Sequence, residues 1–407
     1  MFVKFRLPLI ATLSVFLFLF ATTRVNLAQD GVIYIGGIHP LTGSLAADGN
    51  QMDNAIRMAI DEINLAGGVL GNIMLEYLSA DSMESAEVGQ AEAERLIANG
   101  VSALIGAFQP SVTGNVAAIA EREGVPLVID VAVDDTILDQ GYAYVFRLQP
   151  NATTVGANSA DYLAAIAEEL GERVTTAVYL FEGTTGYGDD VRAAFAERAR
   201  EKGIEIIDQI AYDPFDVTDF TTEMTLINAL APDVLLVTGY YNDGLLAARN
   251  ARDEGLQVKA VFGVGQGAYD TSQFIEDARD LTECFFNSNY HWDASNSEAT
   301  VVRAAFEETF DEEMRTPAVL AYQAVYIIAD AIERSGSANS SDIRDALAET
   351  DYADHILPYD GAIEFDAAGE NIVASPVLMQ IQEGEVLQVW PPEFAESEPR
   401  FCTSWGR

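Results

Sequence analysis

The sequence predicts an α/β protein built as two similar lobes, and three observations lead there. From Gly31 onward, short runs rich in β-forming residues alternate with amphipathic helical stretches, the rhythm of units that wind a parallel sheet. That rhythm restarts after Pro150. Polar and aromatic residues also gather just beyond several predicted strands, where open α/β sheets bind their ligands. With 407 residues, 49% of them hydrophobic, the chain can fill more than one core.

Residues 1–28 stand outside the pattern. Lys4 and Arg6 precede an apolar run over 7–21, and small or polar residues lead to Leu27-Ala28. These are the three regions of a secretory signal peptide, with cleavage expected after Ala28. The run is shorter than the ~20 residues a membrane span needs; an uncleaved N-terminal anchor is the alternative. Asn26 stands where a small residue is preferred, which leaves the cut site open, and no cysteine lies nearby to carry a lipid.

The apolar run 32–38 suits a buried strand. Met52, Ala55, Ile56, Ala59, Ile60 and Ile63 then recur on one helical face, and Gly67-Gly68 ends that helix. Strands are expected at 73–79, 103–106 and 127–131, with helices at 86–98 and 112–123 between them. In the second series, helices 155–168, 191–202, 220–229 and 244–254 alternate with strands 176–181, 204–212, 234–238 and 258–263. A short helix at 271–278 and three helices at 299–310, 318–334 and 341–349 follow. The end is β-like at 363–365, 377–382 and 386–390, closed by Pro391-Pro392. No low-complexity linker divides the chain, so several strand-like crossings are expected between the lobes.

The net charge is −42, and residues 1–28 hold three of the cations and no acid, so the remainder is more acidic still. Lys202 and Lys259 are its only lysines. Such a surface repels nucleic acid and anionic lipid, which excludes both as partners. It fits either simple solubility in a skewed composition or adaptation to salt. Cys284 and Cys402 are the only cysteines, and an oxidising compartment favours pairing them.

Chemistry for catalysis is missing. His39, His291 and His355 are scattered, none in a metal-ligating spacing, and neither a P-loop nor a G-x-S-x-G elbow occurs. No catalytic residue, metal or cofactor is therefore assigned. Gly263, Gly265 and Ala268 spell G-x-G-x-x-A after a strand. That reads either as a dinucleotide fingerprint before a short, poorly amphipathic helix, or as a loop where backbone approaches a ligand or another segment closely.

The strand ends carry the more telling groups. Phe108-Gln109-Pro110-Ser111-Val112-Thr113 opens a helix after strand 103–106, and its hydroxyls and free N–H groups suit a carboxylate. Simple N-capping by Ser111 is the alternative. Gly183-Thr184-Thr185-Gly186-Tyr187-Gly188 and Gly239-Tyr240-Tyr241-Asn242-Asp243 follow two strands of the second series. Tyrosines at equivalent strand ends read as the walls of a cleft.

At these residues the chain resembles the branched-chain amino acid-binding (leucine/isoleucine/valine-binding type) proteins of ABC transporters, over nearly all of its length past residue 28. The resemblance rests on Pro40-Leu41-Thr42-Gly43 and on Ala59-Ile60-Asp61-Glu62-Ile63-Asn64 with Gly67-Gly68. It extends to Glu121-Arg122-Glu123-Gly124-Val125-Pro126, Tyr187-Gly188, Gly239-Tyr240 and Trp390-Pro391-Pro392-Glu393. It implies a type I periplasmic binding protein: two Rossmann-like lobes with parallel-type sheets, joined by three crossings, closing on a ligand by hinge motion. One lobe would be 30–149 with 289–355 and the other 150–288 with 356–396, leaving 397–407 as a tail.

Carried over by likeness, Tyr187 and Tyr240 match cleft residues, and Phe108 and Gln109 match pocket-lining positions. Ser111 and Thr113 match hydroxyls of the same loop, and Ala132 matches a position whose backbone holds the ligand. Three positions depart from the family pattern. Pro110 replaces a serine that donates to the ligand carboxylate, and Val133 replaces a ligand-binding threonine. At Gly265-Gln266 the acid that meets the ligand ammonium is absent, with Gln266 the nearest polar substitute and Asp134 or Asp48 the nearest source of negative charge. The implied ligand is a hydrophobic amino acid or a related amide or organic acid. The implied partner is an ABC transporter permease, with membrane contact only through it, and the implied compartment is the periplasm. A sensory receptor of the same fold, or an exported dinucleotide-dependent enzyme, are the alternatives.

Overall fold

A computed structural model of the chain describes residues 31–402. The expected signal peptide lies outside the described residues. Within them, the first series forms β1 (Val32–His39), α1 (Ala46–Leu65), β2 (Met74–Asp81), α2 (Ala86–Ala98), β3 (Ala103–Gly106), α3 (Pro110–Glu123), β4 (Leu127–Ile129) and β5 (Val145–Arg147). Its five strands are all parallel, in the order β2-β1-β3-β4-β5.

The second series is α4 (Ala152–Glu169), β6 (Thr176–Glu182), α5 (Tyr187–Glu201), β7 (Glu205–Tyr212), α6 (Thr221–Leu230), β8 (Val234–Thr238), α7 (Tyr241–Asp253), β9 (Ala260–Val264), α8 (Ser272–Ala278) and β10 (Phe286–Asn289). Three helices follow, α9 (Ser297–Phe310), α10 (Thr316–Ser335) and α11 (Ser340–Ala348), and then β11 (Val377–Gln382) and β12 (Glu385–Trp390). The second sheet runs β12-β11-β10-β9-β8-β6-β7, parallel except where β11 meets its two neighbours.

Each sheet is covered on both faces. In the first lobe α1 and α10 bury Ile56, Ile60, Val325 and Ile328 against one face, and α2 and α3 bury Leu96, Val116 and Ile119 against the other. In the second, α4 and α5 supply Leu163, Ile166 and Phe195, while α6, α7 and α8 supply Ile227, Ala248 and Phe274. Burying two faces is what makes these strands near-continuous apolar runs.

Besides the half-exposed strands β2, β7 and β12, two strands carry no such run. β5 has three residues and ends in Arg147. β10 is fully buried yet polar: Asn287 exchanges hydrogen bonds with the Gln266 backbone, and Ser288 Oγ receives one from Ser159 Oγ at 2.7 Å. Satisfied buried amides and hydroxyls replace the apolar pattern that marks a strand. The segment 363–365, read as β-like, makes only isolated bridges, Tyr352 with Ile363 and Phe365 with Asn371. Residues 356–374, grouped by likeness with the second lobe, contribute Ile356, Leu357, Tyr359, Ile363, Phe365 and Ala374 to the first core.

The chain passes between lobes after β5, after β10 and before β11. The first and third passages are hydrogen-bonded to each other: Arg147 N donates to Gly369 O at 2.8 Å and Asn371 Nδ2 to Leu148 O at 2.8 Å. Gly369 has φ +89°, and a side chain there would strike the Val145 carbonyl. Arg147 is completely buried, its guanidinium donating to Val133 O and Asp134 O at 2.6 Å each. Cys284 and Cys402 form a disulfide that ties the segment after β12 to the second lobe, with Cα atoms 6.0 Å apart. Among the described residues no helix is long and apolar enough to cross a membrane.

Candidate ligand-binding site

A cavity of about 60 Å³ lies between the carboxyl ends of the two sheets. Asp48, Phe108, Pro110, Val131, Ala132, Val133 and the start of α10 (Arg315, Thr316) line it from the first lobe. Tyr187, Tyr240, Tyr241, Gly265 and Asp270 line it from the second, and Asn289 and Tyr290 lie where β10 crosses over. An outer compartment of about 240 Å³ shares Asp48, Tyr240, Tyr241 and Arg315 and leads to the surface beside Ser44 and Phe215.

Buried acids hold the loops that form the walls. The carboxylate of Glu182, at the end of β6, is fully buried and accepts from the N–H groups of Thr184, Thr185 and Gly188 at 2.6–3.1 Å. That gathers the loop and fixes the first turn of α5, which starts at Tyr187. Asp243 accepts from Tyr240 N at 3.1 Å and from the Tyr212 hydroxyl, fixing the start of α7. Burial pushes the Asp243 carboxyl up to about 7. On the first lobe, Thr113 Oγ1 donates to Gln109 O and accepts from Ala107 N, bracing the turn that presents Phe108 at φ +75°. Asp130 and His39, both fully buried, meet at 2.7 Å, and Asp130 also accepts from Val131 N.

The tyrosines present rings rather than free hydroxyls. Tyr187 donates to Gly265 O, and Tyr240 pairs with Thr185 Oγ1 at 3.1 Å. Their rings lie 5.7 Å apart, centre to centre. Burial raises both phenols far above the ordinary range.

Of the nine residues nominated from sequence, Phe108, Ala132, Tyr187 and Tyr240 line the cavity, as do the two departures Pro110 and Val133. The other five do not. Ser111 is exposed on α3, and Gln109 and Thr113 are buried behind Phe108. Asp134 accepts from Thr136 N and Oγ1. Gln266 braces its own loop: its amide donates to Tyr240 O at 2.8 Å and accepts from Ala268 N. Helix α8 starts well past the glycines, and a side chain at Gly263 would strike Asn287, so the G-x-G-x-x-A stretch serves close packing of loops.

Two polar groups of the lining, Arg315 and Asp270, were not read from sequence, while Asp48, named there as a source of negative charge, does line the cavity. Arg315 Nη1 bonds Asp48 Oδ1 at 2.9 Å, and burial raises the Asp48 carboxyl while Arg315 opposes the rise. Asp270 accepts from Asn289 Nδ2 at 3.0 Å, and burial pushes its carboxyl up to about 7. No group of three His, Cys, Asp or Glu among the described residues is placed to hold a metal ion.

Two doubly wound lobes, several crossings and a cleft lined from both sides define a two-lobed solute-binding protein. The chain belongs to the periplasmic binding protein family, whose model matches residues 32–385. It is similar to Leu/Ile/Val-binding protein homolog 8 of Brucella abortus, 26% identical over 380 residues that cover 91% of this chain and 93% of that one. Among solved structures it resembles a leucine binding protein, LivK, from Thermotoga maritima, at 25% identity and a TM-score of 0.77 over 89% of this chain and 99% of that one. It also resembles the branched-chain amino acid transporter substrate binding protein LivJ from Streptococcus pneumoniae in complex with isoleucine. That match has 25% identity and a TM-score of 0.75 over 88% and 99% of the two chains.

Proposed function

We propose that this chain is the extracytoplasmic solute-binding subunit of an ABC importer. It captures one small solute by closing its lobes and delivers it to a permease, without transforming it. The observation that carries this reading is the cavity itself: strand-end loops of both lobes line one shared space, so a ligand touching both favours the closed arrangement over any open one. Apolar and aromatic walls with a few polar groups suit a ligand with an apolar body. Likeness to a leucine binding protein and to an isoleucine complex makes a hydrophobic amino acid, or a related amide or organic acid, the class to try first. Phe108, Ala132, Tyr187 and Tyr240 are the contacts we assign to it.

The apolar run over 7–21 behind Lys4 and Arg6 supports export, with the secreted chain starting near Gln29. Thermal-shift screening of that chain against amino acids, amines, amides and carboxylates tests the reading. A ligand at a hundredfold excess over its dissociation constant adds ~2.7 kcal/mol to the folded state. A clear rise in melting temperature with one chemical class is expected, and a flat response across the panel would reject the assignment.

A further inference from the structure

Two positions that the resemblance gives to a ligand hydroxyl carry none in this cleft, and the cleft keeps a buried carboxyl of its own. Pro110 and Val133 face the cavity with neither a hydroxyl nor, in the proline, an N–H. The cation among the cavity-lining residues, Arg315, is already bonded to Asp48. Asp270 differs: it is 5% exposed, its hydrogen-bond partner is the neutral amide of Asn289, and no Lys, Arg or His among the described residues comes within 4.0 Å of it. A buried carboxyl without a cation is costly, and an arriving cation removes that cost.

The rings agree with the charge. Phe108, Tyr187, Tyr240, Tyr241 and Tyr290 surround the same space. Aromatic faces attract cations, most strongly where water is excluded. The lining therefore holds two acids and one base. With both carboxyls ionised, a cationic ligand balances it, a zwitterion leaves it negative, and an anion makes it more negative still.

We infer that the cleft selects a small organic cation with an apolar body, its protonated nitrogen meeting Asp270 inside the aromatic wall, and that it discriminates against ligands whose only charge is a carboxylate. This rests on the solute-binding reading above and moves its ligand class from amino acids and organic acids to amines and amine-bearing amides. Arg315, held by Asp48, excludes anions by being unavailable to them.

Two matched sets of probes separate these charges on one apolar body. Isoamylamine, L-leucine and isocaproate form the first set, and phenethylamine, L-phenylalanine and hydrocinnamate the second. Calorimetric titration of the secreted chain should rank the amine first in the set that fits, the zwitterion at least tenfold weaker and the acid weakest. Asp270→Asn keeps the bond with Asn289 and should weaken the amine at least tenfold. Asp48→Ala frees Arg315 and should bring the acid into measurable range. Tighter binding of the acid or zwitterion than of the amine overturns the inference while leaving the solute-binding reading intact. So does an Asp270→Asn protein that folds and binds the amine within twofold of the parent. Absence of binding by every probe, together with a flat thermal-shift screen, removes both.

Discussion

The hydroxyls of Thr185 and Tyr240 lie 3.1 Å apart, joining the loop after β6 to the loop after β8 on the same wall of the cleft. Thr185 Oγ1 also donates to the buried carboxylate of Glu182, so the chain of contacts runs from a strand end to the tyrosine. The Tyr240 hydroxyl is thus occupied within its own lobe, and the ring is what the cavity receives. Tyr240→Ala should weaken ligand binding at least tenfold, because losing a bulky contact at the centre of a closed site often costs ~2 kcal/mol or more. Tyr240→Phe should stay within about threefold, since it removes only the bond to Thr185. Calorimetry on both variants, with circular dichroism to confirm the fold, distinguishes ring from hydroxyl. Equal losses in the two would mean that the hydroxyl is the ligand contact.

Arg147 offers a prediction about stability rather than affinity. Its buried guanidinium donates to the carbonyls of Val133 and Asp134, and Asp135 and Glu370 lie within 3.7–3.9 Å. Removing it strands two carbonyls and leaves Glu370 without its cation. Arg147→Met should therefore destabilise the protein by about 3 kcal/mol or more, as breaking a buried ionic network does. Urea denaturation measures this directly, and a loss below ~1 kcal/mol would show that the passage between lobes tolerates the change.

Much of this arrangement was legible in the sequence, and the exceptions share a cause. β3, β8 and β11 fall where apolar runs place them, because both faces of each sheet are buried. β10 escaped because Asn287, Ser288 and Asn289 satisfy their polar groups against residues far away in sequence. The same holds in the cleft. Phe108, Tyr187 and Tyr240 stand out as aromatics just past strand ends. Arg315 gains meaning only beside Asp48, which is 267 residues away, and Asp270 is one acid among 64 acidic residues. Gln266 sits at the expected place in the chain, but its amide turns back to Tyr240. Position along a strand end is encoded locally; the direction a side chain takes from it is not.

The Cys284–Cys402 bond closes a segment with a sequence separation of 118 residues. A cross-link over so long a loop restricts the unfolded chain and typically contributes ~2–4 kcal/mol. Thiol labelling of denatured, unreduced protein should find no free sulfhydryl. Reduction, or Cys402→Ser, should lower the melting temperature by several degrees while leaving ligand affinity within about twofold, because the bond lies away from the cavity-lining residues. Two labelled thiols in the native-source protein would refute the pairing.

The last prediction concerns pH. The Asp243 carboxyl is pushed up to about 7 by burial, against an ordinary value of 3.8, and the Glu182 carboxylate adds to the rise while the Tyr212 hydroxyl and Tyr240 N–H oppose it. Between those two values the folded protein holds a proton at Asp243 that the unfolded chain has released. Folding is then coupled to proton uptake, so stability falls as pH rises through this window. The contribution is on the order of 3 kcal/mol between about pH 4 and pH 8. Asp270, raised by the same cause, adds a slope of the same sign, and the excess of acids over bases steepens it further. The variant Asp243→Asn isolates one term. Asn keeps an acceptor for Tyr240 N and cannot ionise, so its stability relative to the parent should improve by about 2–3 kcal/mol between pH 5 and pH 8. Urea denaturation at several pH values reads that difference. Parallel pH profiles for variant and parent would show that Asp243 ionises normally in the fold, and that its bond with Tyr212 does not depend on a bound proton.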